Sequence, residues 1–133
     1  MLRALGRLYR SLHREKIYHN DLKASNVLAV DSGSAKEAIL SLIDLQGVKK
    51  CFFLSERRKI KNLAQLNRTL GDCLTRTEKL FFLKAYLGSQ FSDRKGKRYL
   101  VPRILGETLR QIIRERSRHP DAGNYSVAWS LQQ

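Results

Sequence analysis

Four polar side chains, Asp21, Lys23, Asn26 and Asp44, have the types and spacing needed to move a phosphoryl group. Three lie in His19-Asn20-Asp21-Leu22-Lys23-Ala24-Ser25-Asn26, and the fourth in Leu42-Ile43-Asp44-Leu45. Phosphoryl transfer asks for an attacking hydroxyl held in line and for neutralised charge on the migrating group, with no covalent intermediate required. Asp21 can accept or orient the hydroxyl proton. Lys23, two residues on, offers a cation to the γ-phosphate of a nucleotide. Asn26 offers a neutral oxygen ligand suited to magnesium, and Asp44 a charged one. The expected catalytic pair is therefore Asp21 and Lys23, the expected nucleotide contacts are Lys23 and Asn26, and the expected metal ligands are Asn26 and Asp44. His19 is expected to prop the loop rather than touch substrate. Taken singly, Asp21 reads as a turn residue and Asn26 as a strand-edge cap; the joint spacing carries the chemistry.

The elements around these residues suit the task. Leu2, Leu5, Leu8, Tyr9 and Leu12 fall at helical spacing with arginines on the other side, which predicts an amphipathic helix over 2–15. Ile17-Tyr18 is a short extended approach to the loop. Val27-Leu28-Ala29-Val30 and Ile39-Leu40-Ser41-Leu42-Ile43 are β-prone runs flanking Asp31-Ser32-Gly33-Ser34, so a β-hairpin is expected to carry Asn26 and Asp44 toward one ion. Beyond Gly47 the chain reads as mainly helical. Ile60, Leu63, Leu66 and Leu70 form one stripe, with Gly71 able to end that helix. Thr75-Arg76-Thr77-Glu78 is a capping-box pattern opening a helix through Leu80, Leu83 and Leu87 to Gly88. Phe91 to Arg98 reads as a basic loop, and Pro102 as the first turn of a last helix burying Ile104, Leu105, Leu109, Ile112 and Ile113. The fold expected is mainly α with a small β-hairpin, one domain over 1–118 and a tail over 119–133.

The 133 residues support one modest core, and 42% hydrophobic content lies well above the disordered range. No run approaches the roughly 20 apolar residues of a membrane-spanning helix, and arginines interrupt the apolar start, so a soluble intracellular protein is expected. Cys51 and Cys73 have no partner at metal-ligand spacing, which predicts reduced thiols. The 26 Lys and Arg against 12 Asp and Glu give a net charge of +14. Such a surface attracts phosphate-bearing partners. Most aromatics sit in apolar pairs, Phe52-Phe53 and Phe81-Phe82, which predicts core positions and argues against a single-stranded nucleic-acid platform. No nucleic-acid motif is found, and the arginines spread over several helices.

Helix, His-x-Asp-Leu-Lys-x-x-Asn, hairpin and Ile-Asp-Leu together resemble the C-terminal lobe of a protein-kinase-like fold. Residues Leu12 to Leu28, Leu42 to Leu45, Arg57 to Asn67 and Leu74 to Tyr86 further resemble the lipopolysaccharide core kinases, the Kdo/heptose kinase family of Gram-negative bacteria. The resemblance covers roughly residues 2–90, and the Arg57–Tyr86 region separates this branch from protein kinases. It implies an ATP-dependent, magnesium-requiring kinase acting on a sugar hydroxyl of the lipopolysaccharide inner core, in the cytoplasm and peripheral to the inner membrane. It also assigns Asp21, Lys23, Asn26 and Asp44 their roles at matching positions.

Several departures narrow this reading. Asn20 stands where many protein kinases have an arginine, Asp44-Leu45-Gln46 replaces Asp-Phe-Gly, and no Ala-Pro-Glu-like motif follows. These disfavour activation-loop regulation and a protein substrate. Nothing before the first helix resembles a glycine-rich loop or its strand lysine, and neither Lys16 nor Lys23 replaces that lysine. The expectation is a piece of a longer enzyme whose N-terminal lobe comes from elsewhere. The alternative is a catalytically weak lobe that binds anionic glycolipid or a membrane surface.

Overall fold

The computed structural model describes residues 1–30, 39–92 and 94–119. Four helices, α1 (Leu2–Arg14), α2 (Glu56–Leu70), α3 (Arg76–Leu87) and α4 (Arg94–Arg118), form most of it. Four short strands, β1 (Ile17–His19), β2 (Val27–Val30), β3 (Ile39–Leu42) and β4 (Val48–Lys50), make two separate antiparallel pairs, β1 with β4 and β2 with β3. This is the mainly helical fold with a small hairpin that the sequence predicts. The turn expected at residues 31–34 and the tail after His119 lie outside the described residues.

Two helix pairs build the body, α1 against α3 and α2 against α4. The α1 face buries Leu5, Tyr9 and His13, spaced one helical turn apart. At Gly6 the two helices come so close that a Cβ would lie 2.5 Å from the Phe82 carbonyl oxygen and 2.8 Å from Ala85 Cβ. Leu5, Tyr9, Leu22, Ile60, Leu63, Leu66, Phe82, Leu83, Leu87, Leu100 and Ile104 form one buried cluster, which therefore joins the loop at Leu22 to all four helices. The predicted capping box opens α3: Thr75 Oγ1 accepts from Glu78 N at 3.3 Å, and Thr75 N donates to Glu78 Oε2 at 2.8 Å. The Thr75 backbone N–H and then its hydroxyl, both donating to Glu78 Oε2, hold the Glu78 carboxyl below its ordinary pKa. Ser55 caps α2 by accepting from Arg58 N.

Several expectations are corrected. The last helix begins at Arg94, so Pro102 lies inside it and much of the expected 91–98 loop is helical. Burial of Leu100 against the body rewards helix on the N-terminal side of the proline, so packing overrides the local rule. The stripe α4 buries is Leu100, Ile104, Thr108 and Ile112, an i+4 row, whereas Leu109 and Ile113 face solvent. Asn67 Nδ2 donates to Thr108 Oγ1 at 3.1 Å, and Arg68 pairs with Glu115, so polar contacts finish the α2–α4 seam. Gly71 ends α2 with right-handed φ −59° and ψ −37°, leading into a 3-10 turn over Gly71–Cys73. Phe52 is 98% exposed and Phe53 73%; of the two aromatic pairs only Phe82 is core. Strand β4 was not expected: Val48-Lys49-Lys50 has no alternation to read and is extended because β1 supplies its partner. Among the described residues, no helix is long and apolar enough to cross a membrane, and both thiols are free.

Candidate active site

The 19–26 loop leaves β1 and is gripped by its backbone from three sides. Within the loop, the buried His19 ring accepts from Asp21 N at Nδ1 (3.0 Å) and contacts the Asp44 carbonyl oxygen with Nε2 at 2.8 Å. An Nδ1 acceptor requires the Nε2-protonated tautomer, so the ring donates to Asp44. One imidazole thus fixes the backbone of both aspartates, which is the propping role expected of it. Asn20 N donates to Gly47 O at 2.9 Å on the same side. A Cβ on Gly47 would meet His19 Cε1 at 3.0 Å and Nδ1 at 3.1 Å, so the close approach depends on glycine.

Helix α2 supplies the second grip. Asn62 Nδ2 donates to His19 O at 2.6 Å and to Gln65 Oε1 at 3.0 Å. Gln65 accepts from Leu22 N at 3.2 Å and donates to Asn20 O at 2.6 Å. Thr69 Oγ1 accepts from Ala24 N at 3.1 Å. Residues 62, 65 and 69 fall on one helical face, a polar row beside the leucine stripe. From α1, Tyr9 Oη donates to Leu22 O at 2.9 Å, and burial pushes the Tyr9 phenol pKa upward. His13 extends the network, bonding Tyr86 Oη at 2.8 Å and Asn62 Oδ1 at 3.4 Å. Sequence reasoning missed this shell. Its signal was present as a second row at helical spacing, Asn62, Gln65 and Thr69, flanking the apolar stripe, where polar side chains are buried only with partners.

The four expected residues gather around this frame. Asp21 Oδ2 and Lys23 Nζ form an ion pair at 2.8 Å, with the side chains 45% and 37% exposed. The cation thus lies beside the carboxylate. Asn26 is buried, and its Nδ2 donates to Asp21 O at 2.7 Å, which leaves Oδ1 as its atom with lone pairs to offer. Ile43 N donates to Asn26 O at 3.0 Å, continuing the β2–β3 ladder in which Val27 faces Leu42. The ladder therefore brings Asn26 and the segment entering Asp44 to one end of the hairpin. Asp44 is exposed and left-handed, at φ +59° and ψ +74°. Aspartate tolerates that region better than most residues, and such conformations cluster at functional sites.

The donor set fits a magnesium-bound nucleotide. Asn26 Oδ1 and the Asp44 carboxylate are hard oxygen donors, and magnesium is commonly held by one or two protein ligands plus waters and phosphate oxygens. Among the described residues, no group of three or more His, Cys, Asp or Glu gathers to enclose a metal. The remaining ligands of an ion here would come from nucleotide and water.

The sequence profile of the lipopolysaccharide kinase (Kdo/WaaP) family matches residues 1–86. The chain belongs to this family. Every loop, hairpin and α2 residue described above lies within the matched part. Among solved structures, WaaP in complex with acyl carrier protein is similar at 28% identity and a TM-score of 0.61, over 88% of this chain and 47% of that one. This Kdo/WaaP chain therefore spans about half the length of the solved relative, and the likeness extends past the profile match into α4. No curated protein sequence matches.

Proposed function

We propose that this chain is the catalytic-loop lobe of an ATP- and magnesium-dependent kinase that phosphorylates a sugar hydroxyl of the lipopolysaccharide inner core. The observation that carries the reading is the His19 ring, which joins the Asp21 amide to the Asp44 carbonyl while Asn26 is tied to Asp21. Those bonds tie together the main chains that carry the proposed proton acceptor and the two proposed oxygen ligands, which supports a site for in-line transfer. Asp21 orients the sugar hydroxyl and accepts its proton. Lys23, paired with Asp21 here, turns its ammonium to the γ-phosphate. Asn26 and Asp44 would hold magnesium, which would neutralise phosphate charge. The net charge of +14 supports work at the cytoplasmic face of the inner membrane, where glycolipid substrate and leaflet are both anionic. An N-terminal lobe from a longer chain would complete the nucleotide cleft.

The test is transfer of the ATP γ-phosphate to purified inner-core lipopolysaccharide by the longest reading frame containing this chain. Asp21→Ala is expected to lower kcat by about 10²–10⁴-fold, and Asp44→Ala to remove the response to magnesium. Equal transfer by wild type and both variants would overturn the assignment. A second reading, a lobe that binds anionic glycolipid without transferring phosphate, is favoured by the net charge of +14. It predicts glycolipid binding indifferent to Asp21 and no transfer at all.

A further inference from the structure

We propose that the end of the molecule formed by the α1 C-terminus, the 51–54 turn and the α2 N-terminus docks on an anionic lipid bilayer. In this arrangement the Phe52 and Phe53 rings enter the interface, and a lipid phosphate seats in a cavity lined by Arg10, Arg14 and Lys59.

Two observations point to the same end. The first is the turn after β4. Phe52 and Phe53 are 98% and 73% exposed, a convex pair of phenyl rings rather than the wall of a groove. Cations surround them. Lys16 Nζ lies 5.8 Å from the Phe52 ring centroid, Lys49 and Lys50 precede the turn, and Arg58 donates to Cys51 Sγ at 3.2 Å. Apolar rings at a tip with a basic collar are the composition of an interfacial anchor: the rings gain a wet-to-apolar boundary and the cations gain anionic headgroups. A fluid surface accepts such a protrusion without a matching pocket.

The second observation is a cavity of about 320 Å³ between α1, the start of α2 and the 88–90 turn. Arg10, Arg14 and Lys59 line it together with Ser89 and Gln90, and among the described residues its lining holds no carboxylate. Arg14 is two residues from Lys16, and Lys59 is the neighbour of Arg58, so cavity and turn share an end. Three cations and two polar groups suit a phosphate diester. β4 pairs with β1 from Ile17↔Lys50 to His19↔Val48, so the turn lies at one end of this ladder and the 19–26 loop leaves from the other. This deepens the kinase reading and rests on it for its purpose, although binding is measured without phosphate transfer.

The experiment is co-sedimentation of the full chain with vesicles of phosphatidylcholine, with and without one-third phosphatidylglycerol. Binding is expected only to the anionic vesicles, and to fall as salt rises. Phe52→Ser with Phe53→Ser is expected to lower partitioning at least about tenfold with the circular dichroism spectrum unchanged, since both rings are exposed. Arg14→Gln with Lys59→Gln is expected to cost about fivefold per cation. Phe52→Trp, made with Trp129→Phe so that it is the lone indole, is expected to shift its emission to the blue on anionic vesicles. Asp21→Ala is expected to bind fully, so loss of transfer and loss of docking are separate results. The proposal is overturned by a double-serine variant that binds like wild type, by equal binding to neutral vesicles, or by an indole whose emission does not move. It is also overturned if a soluble acidic protein, and not the vesicle, is bound through these residues.

Discussion

Asp21 and Asp44 are positioned by what holds their main chains, because both carboxylates face solvent while the His19 ring beneath them is buried. Geometry at the site should therefore be sensitive to changes that leave every reacting group in place. Gly47→Ala is the sharpest case. Its Cβ would press on the imidazole at 3.0–3.1 Å, and the atoms it meets belong to a ring fixed by two hydrogen bonds. The substitution is expected to lower kcat at least about tenfold and stability by about 1–3 kcal/mol, read from steady-state kinetics and urea melts. An alanine enzyme with wild-type kcat would show that the ring does not set the loop.

Helix α2 acts as a rack for the loop, and its amides should matter as much as its leucines. Gln65→Leu keeps the volume but strands the buried Leu22 N–H and the Asn20 carbonyl. A loss of about 1–3 kcal/mol per buried orphan is expected in chemical denaturation, with a fall in kcat from a loosened loop. At the α1–α3 contact, Gly6→Ala tests packing against propensity. Alanine is the better helix former by about 1 kcal/mol, yet its Cβ would clash with the Phe82 carbonyl. A net loss of stability is expected, and a gain would refute the close approach. Elements of this kind were legible in the sequence where a local rule acts: the leucine stripes, the Thr75–Glu78 cap, and the hairpin strands around the four site residues. What was not legible depends on distant partners. Val48-Lys49-Lys50 is a strand only because β1 is beside it, α4 runs through Pro102 because Leu100 finds the core, and Phe52-Phe53 has the composition of core but no neighbours to bury it. The burial of Asn62 and Gln65 likewise depends on the loop they hold.

Across the whole molecule, the link between α1, α2 and α3 runs through His13, whose stability contribution depends on pH. Burial foremost, with the Lys59 charge, lowers its pKa from 6.5 to about 4, against the opposing Asn62 hydrogen bond. The native ring stays neutral while an unfolded chain takes up a proton, so its contribution is full above pH 6.5 and is lost as pH falls toward 4. The loss is on the order of 3 kcal/mol. Melting temperatures at pH 7 and pH 4.5 are expected to differ more for wild type than for His13→Gln; equal differences would place the acid sensitivity elsewhere. The imidazole of His19 has another consequence, because it touches the chain at both Asp21 and Asp44. A pull on the Asp44 carbonyl is transmitted to the Asp21 amide through one rigid five-membered ring. On the proposed kinase reading, nucleotide and magnesium bound at Asp44 should thus be felt at Asp21 before the acceptor arrives, and the ring works as a tell-tale. Its ¹⁵N resonances are expected to move when magnesium and nucleotide are added, and to stay still when Asp44→Ala silences that half.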